Sequence, residues 1–247
     1  MKAAPEAQLR LLELQQLDST LNRLAHRRRT LPELAEYEEL ERRVGELRDT
    51  IVAAETEVSD LDREQTKAEH DVDAVRQRAD RDKQRLDSGQ VSSARDLENL
   101  QSEIVSLQRR QSDLEEVVLE IMERREVAAG KLARLRATQS ELHEQLARVA
   151  ERRDAALRDL DDEAGLSSTA RTAVEKDIPD DLLALYERLR GQLGGVGAAV
   201  LLRGQCQGCH LALNTVDLNR IRAAAPDEVL RCEECRRILI RTPESGL

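Results

Sequence analysis

Between Ser93 and Leu160 the apolar side chains recur at alternating steps of three and four, through Leu97, Leu100, Ile104, Leu107, Leu114, Val118, Ile121, Ala128, Leu132, Leu135, Leu142, Leu146, Val149, Ala156 and Leu160. Only Gln111, Arg125, Gln139 and Arg153 interrupt the series. A seven-residue repeat sustained this long predicts a coiled-coil helix on the order of 100 Å in length. The four interrupting side chains are long enough to reach round a thin two-helix interface to water, so they leave the seam intact. A matching seam precedes it, through Tyr37, Leu40, Val44, Leu47, Ile51, Ala54, Val58, Leu61, Ala68, Val72, Val75, Ala79 and Leu86, with polar Gln65 and Asp82 in register. Two seams predict two helices. Between them "LDSGQVSSARDLENL" supplies Gly89 to stop the first and Ser93 with Asp96 to cap the second. The pattern therefore predicts an antiparallel coiled-coil hairpin over residues 1–165 with its tip near 88–92.

A shorter seam, Leu14, Leu17, Leu21 and Leu24, lies upstream and is out of phase with Leu40. The break falls at "RRRTLPEL", where Thr30 and Glu33 fit a capping box and Pro32 suits a first helical turn, so a kink is expected near residues 30–32. The first segment then packs against the far end of the long helix, near Val149 to Leu160. After the hairpin, "GLSSTARTAVEKD" opens a connector over residues 166–195 that contains a short helix at 178–190. "GQLGGVG" then loosens the chain. Residues 196–247 read as short strands at "AAVLLRG", "HLALN", "EVLR" and "RRILIR", with a helical stretch near 216–225. The expected class is mainly α, a long antiparallel helical hairpin followed by a small β module.

That module holds every cysteine of the chain: Cys206 and Cys209 in "CQGCH", and Cys232 and Cys235 in "RCEEC". Two CxxC pairs, each at a turn between short strands, bring four thiolates to one ion, and soft ligands in a tetrahedral shell select Zn(II). A redox CxxC would sit once, at a helix start inside a βαβ unit, and that context is missing. Four protein ligands leave no open coordination position, so a structural role is expected for one zinc ion, with His210 exposed beside the site. The metal supplies stability that a ribbon this small and poor in aromatics cannot draw from a core.

Composition sharpens this picture. The 247 residues include two tyrosines, no phenylalanine and no tryptophan, with 36% charged side chains. A globular enzyme core of this length would use more aromatic area, so an extended helical molecule is expected. No phosphate-binding glycine loop or nucleophile motif is present, and the four histidines lie far apart in sequence. No apolar stretch approaches the ~20 residues of a membrane span, and the N-terminus lacks a signal-peptide pattern, so a cytoplasmic location is expected. Residues 178–247 carry nine basic and nine acidic side chains, so the whole net charge of −10 belongs to residues 1–177.

Together these segments resemble a family of bacterial proteins that join an N-terminal coiled-coil hairpin to a C-terminal four-cysteine zinc ribbon. The resemblance runs through "SGQVSSARDLENLQSEI", "IPDDLLALYERLR", "GxCxGCH" at Gly204–His210, and "VLRCEECRRILIR". It implies a non-enzymatic binding protein. Members in flagellated bacteria resemble chaperones or adapters for the flagellar sigma factor and are implicated in binding flagellin messenger RNA, and relatives are linked to type III secretion partners. This chain departs from the family near the last strand, where Arg236 and Ile240 stand in place of a usual glycine and aromatic.

Two functions follow as expectations. In the first, the chain is an adapter or chaperone-like protein that holds a protein partner through hairpin and ribbon, and a second copy of the hairpin is a further partner of the same kind. In the second, the ribbon binds RNA or DNA through a basic surface made of Arg203, Arg220, Arg222, Arg231, Arg236, Arg237 and Arg241. Glu233 and Glu234 weaken that patch.

Overall fold

The computed structural model describes residues 1–89, 91 and 93–247, and divides into two compact units. Residues 35–150 form one. They comprise most of two long helices, α2 (Pro32–Asp87) and α3 (Ala94–Glu175). Along this unit Leu40 packs with Leu142 and Val149, Ile51 and Ala54 with Leu132, and Leu61 and Ala68 with Ile121 and Ala128. Numbers rise along α2 as they fall along α3, which is the antiparallel pairing that the two seams predict. Each helix buries only its seam and leaves the other faces in water, as a two-stranded coil requires. Three of the polar interruptions find partners at the surface: Arg125 pairs with Asp62 across the helices, while Gln111 and Gln65 donate to Glu115 and Glu69 on their own. At the tip Gly89 adopts φ +68°, a left-handed conformation that glycine takes without strain. The Ser93 carbonyl accepts the first helical bond of α3 from Leu97, and Gln90 and Ser92, at the centre of the expected tip, lie outside the described residues.

Residues 1–34 and 151–247 form the second unit. Helix α1 (Pro5–Arg29) ends at Thr30, whose hydroxyl donates to the His26 carbonyl at 3.0 Å. Thr30 thus closes α1, where the sequence predicted that it would open α2. Leu31 follows and is buried with Leu24 and Leu160, so the expected contact between the first segment and the end of the long helix is made. The expected connector at residue 166 is absent, because α3 runs on through Gly165 to Glu175. Glycine costs a helix about 1 kcal/mol but does not stop one whose flanking residues, here Leu160 and Val174, are buried. Thr169 and Thr172 satisfy their hydroxyls on the carbonyls of Gly165 and Ser168, so the polar run stays helical.

Helix α4 (Asp180–Gln192) buries Leu182, Tyr186 and Leu189, spaced four and three apart on one face. That face meets Ala7, Leu11 and Leu14 of α1, Val174 of α3, and Ile238 and Ile240 of the sheet in one apolar cluster. The sheet has order β2-β1-β4-β3, from β1 (Ala198–Leu202), β2 (Gln205–Cys206), β3 (Leu230–Arg231) and β4 (Ile238–Ile240). The β1–β4 pair is parallel, with Val200 opposite Ile240, and both outer pairs are antiparallel. "HLALN" contributes a single bridge, Gln205 to Ala212, in place of the expected strand. The N-terminal residues extend the β3 side: the Ala3 N–H donates to Asp227 at 2.7 Å and the Val229 N–H to Met1 at 3.2 Å. The β module therefore shares a core with α1 and α4 and is not a freely hinged appendage.

The "GQLGGVG" segment is correspondingly tied down. Gln15 of α1 accepts the Gly197 N–H at 2.7 Å and donates to the Gly195 carbonyl at 3.0 Å. A Cβ at Gly197 would stand 2.7 Å from the Tyr186 carbonyl oxygen and 3.1 Å from the Arg190 nitrogen, so β1 can begin against α4 only with glycine there. Gly197→Ala is expected to destabilise the protein by about 1–3 kcal/mol, whereas Gly165→Ala, in open space on α3, is expected to stabilise it by about 1 kcal/mol. Urea unfolding followed by helical circular dichroism checks both signs.

Candidate metal centre and its support

The two cysteine pairs sit on equivalent turns. Cys206 ends β2, and the His210 N–H donates back to its carbonyl at 2.7 Å. Cys232 follows β3, and the Arg236 N–H donates back to its carbonyl at 2.9 Å. His210 and Arg236 hold the same left-handed place in each turn, with φ +60° and +63°. At Arg236 glycine would suit that conformation without strain, whereas this chain carries a side chain there.

All four sulfur atoms lie within 4.8 Å of one another, with Cys206 to Cys235 at 3.8 Å and Cys209 to Cys232 at 3.9 Å. Thiolates at 2.3 Å from a tetrahedral zinc stand about 3.8 Å apart, so the sulfur cage has the size the ion requires. His210 is exposed and stands outside the group. Burial pushes the Cys206 thiol up to about 12, against hydrogen bonds from the Gly208 and Cys209 amides. Burial also opposes ionisation of Cys235, yet the backbone and guanidinium of Arg237 bring that thiol down to about 7. Zinc has to displace protons from such thiols, and the surrounding N–H donors offset the cost of leaving thiolates in a low-dielectric site.

An apolar layer surrounds the cage: Ala199, Leu201, Leu213, Ile221 of α5 (Thr215–Ala223), Leu230 and Leu239. Gly208 brings the first turn against the second, since a Cβ there would stand 2.6 Å from Cδ of Arg237 and 3.0 Å from Cβ of Ala199.

The seven arginines expected to form a basic surface are largely engaged within the chain. Arg237 donates to the Val196 and Leu193 carbonyls, both at 3.0 Å, and Arg241 donates to a loop of carbonyls that includes Ala224 at 2.9 Å and Ala225 at 2.6 Å. Arg231 donates to the Arg236 carbonyl at 2.8 Å. Arg220 and Arg236 both pair with Glu233, whose carboxyl Arg220 holds below the usual range through a hydrogen bond. Arg222 donates to Asn219 on α5, and Arg203, in the left-handed turn after β1, gives its backbone N–H to Glu244. Apart from Arg203, which is held by its backbone alone and is exposed, these side chains are engaged within the ribbon, so the cationic surface left free is smaller than the sequence predicts.

A second group of polar residues was not legible in the sequence. Asp18 of α1 is fully buried, accepts hydrogen bonds from Tyr186 and Arg171, both at 2.7 Å, and forms an ion pair with Arg190 at 3.1 Å. Arg171 also pairs with Glu175 and Glu187. Burial, with the neighbouring Asp18 carboxylate, pushes the Tyr186 hydroxyl well above its ordinary value, so it remains a donor. Together with Gln15, this cluster fixes α1, α3 and α4 against the start of β1. The available signal was Asp18 falling four residues after Leu14, on the stripe that Leu11 and Leu14 bury.

Zinc removal by a chelator is expected to free all four thiols and to raise hydrogen exchange across Thr215–Ala223, while residues 35–150 keep their helical protection. Loss of helix throughout would contradict this. Arg236→Gly is expected to stabilise the zinc-loaded protein by about 0.5–1 kcal/mol by relieving the left-handed residue, read as a rise in the urea midpoint. Tyr186→Phe is expected to cost about 1–2 kcal/mol, since it removes a buried donor from Asp18.

Comparison with known proteins fits this architecture. Residues 14–194 match the CT398-like coiled coil hairpin domain, and residues 205–239 match the C4-type zinc ribbon domain. An uncharacterized protein of Mycobacterium tuberculosis is 40% identical over 242 residues, covering 98% of each chain, and one of Mycobacterium leprae is 30% identical over 221 residues, covering 90% of this chain and 94% of its own. A solved structure from Mycobacterium smegmatis superposes with a TM-score of 0.85 at 38% identity over 98% of this chain and 100% of its own. The structure of CT398 from Chlamydia trachomatis shares the fold, with a TM-score of 0.68 at 20% identity over 96% of this chain and 98% of its own. The sulfur cage, the antiparallel seams and these matches agree: the chain belongs to the CT398-like coiled-coil hairpin family and carries a C4-type zinc ribbon that holds one structural zinc ion.

Proposed function

We propose that this protein is a non-enzymatic adapter whose hairpin holds a protein partner. The observation that carries the reading is on α3, where Val105, Val117, Leu119, Met122 and Val127 remain exposed although the seam beside them is already filled. Apolar side chains kept in water along an otherwise charged helix favour a surface that another protein covers. The metal supports a non-catalytic reading: four cysteine ligands complete its shell, and among the described residues they are the one group of metal-ligating side chains brought together. A sigma factor or a secretion component is a partner of the class that the family resemblance implies. Nucleic-acid binding by the ribbon has less support, because Arg231, Arg237 and Arg241 are committed to backbone carbonyls and Arg220 and Arg236 to Glu233. Among the described residues no helix is long and apolar enough to cross a membrane.

A photoreactive amino acid placed at Val105 or Val127 is expected to crosslink to protein in the native cell, and the adduct is expected to resist ribonuclease. Crosslinks confined to a probe at Val216 on α5, carrying RNA, would overturn the adapter reading.

A further inference from the structure

On one side of the hairpin, α2 and α3 enclose a groove of about 430 Å³ lined by Glu69, Val72, Asp73, Glu115, Val118 and Leu119. Val72 and Val118 are half-buried and form an apolar floor, and Leu119, at 59% exposure, forms an open wall. Met122, also exposed, follows one helical turn along the same face of α3. Glu69, Asp73 and Glu115 surround this floor. Glu69 and Glu115 accept amide hydrogens from Gln65 and Gln111, and among the described residues none of the three carboxylates has a cationic partner. Elsewhere along the hairpin, carboxylates are matched across the helices, as in Asp62 with Arg125, Glu57 with Lys131 and Glu55 with Arg136.

Around the groove and on its side away from the tip, the charge distribution has the same sign. Residues 52–73 and 113–126 contain fourteen acidic and four basic side chains, an imbalance equal to the −10 of the entire chain. An apolar strip between two helices, edged by unpaired carboxylates, is complementary to a third helix with apolar residues at three- and four-residue spacing and cations beside them. We propose that this groove docks a basic amphipathic helix of a partner protein. Its apolar side chains rest on Val72, Val118 and Leu119, and its lysines or arginines meet Glu69, Asp73 and Glu115. The assignment rests on the reading of the hairpin as a protein-binding surface and specifies the chemistry of the segment it holds. A nucleic acid would be repelled at the same place.

The test uses the zinc-loaded full-length protein and fluorescence anisotropy with two synthetic helices. Both carry leucines at positions i, i+3, i+4 and i+7; one carries lysine at the remaining positions and its twin carries glutamate. The lysine helix is expected to bind and the glutamate helix to fail. Leu119→Ser is expected to weaken binding by about tenfold. The combined change Glu69→Gln, Asp73→Asn and Glu115→Gln is expected to weaken it by about tenfold or more and to flatten its salt dependence. An equal charge change at Glu38→Gln, Glu41→Gln and Asp49→Asn, on exposed α2 positions away from the groove, is expected to leave binding unchanged. Circular dichroism establishes that every variant remains folded. Unchanged binding by the groove variants, equal loss in the Glu38, Glu41 and Asp49 control, or equal binding of the glutamate helix would each overturn the assignment. The wider reading is judged separately: hairpin crosslinks to protein alongside unaffected groove variants would retain the adapter and remove the groove, whereas crosslinks to RNA confined to α5 would remove the adapter itself.

Discussion

The zinc-bearing half of the molecule depends on one buried carboxylate. Asp18 reaches no water and is held by Tyr186, Arg171 and Arg190, so one side chain of α1 joins residues from α3 and α4. A buried charge is costly unless it is paired and its lone pairs meet well-placed donors, and here Tyr186 and Arg171 donate to it while Arg190 adds a second cation. Removing any one of the three partners leaves the others in an arrangement made for all of them. One turn earlier on α1, Gln15 takes the amides of Gly197 and Ala198 and so sets where β1 begins. From β1 the register passes to β2 and the first cysteine turn on one side, and through the parallel pair to β4 and the second turn on the other. The metal cage is therefore positioned from α1, although α1 is nearly two hundred residues away in sequence from the cysteines.

Zinc and this polar cluster divide the work between two apolar layers. Ile238 and Ile240 of β4 belong to the layer shared with α1 and α4, while Leu239 between them belongs to the layer around the cage. Alternation along a three-residue strand gives each face a different neighbour. The arginines of the ribbon serve the same end: Arg237 and Arg241 satisfy carbonyls of loops that have no strand partners. Arg237 and Arg241 thus help to hold the small module together, and the hairpin turns its charges and several apolar side chains outward.

Much of this architecture was legible in the sequence where the determining interaction is periodic or local. The seams from Leu40 to Ala79 and from Leu100 to Leu160 specify two helices and their pairing, because each heptad repeats the same burial. The two CxxC spacings specify the cage for a similar reason. The reading failed where a distant contact decides. Gly165 and the serines after it look like a connector, but the burial of Val174 against α1 and α4 keeps α3 helical. "GQLGGVG" looks mobile, but Gln15 holds it. Asp18 lies on the stripe that Leu11 and Leu14 bury, but nothing local reveals that Tyr186, Arg171 and Arg190 meet it there. Arg237 and Arg241 read as free cations because nothing local reveals which carbonyls they approach.

The claim on which the rest depends is that Asp18 couples α1 to the sheet that carries the cysteines. Hydrogen exchange of the zinc-loaded protein, compared between the native chain and Asp18→Asn, tests it most directly. The expected result is a joint loss of protection in α1 around Leu11 and Leu14 and in β1 and β4 at Val200 and Leu239, with residues 35–150 unaffected. A sheet that keeps its full protection while α1 loses its own would contradict the account.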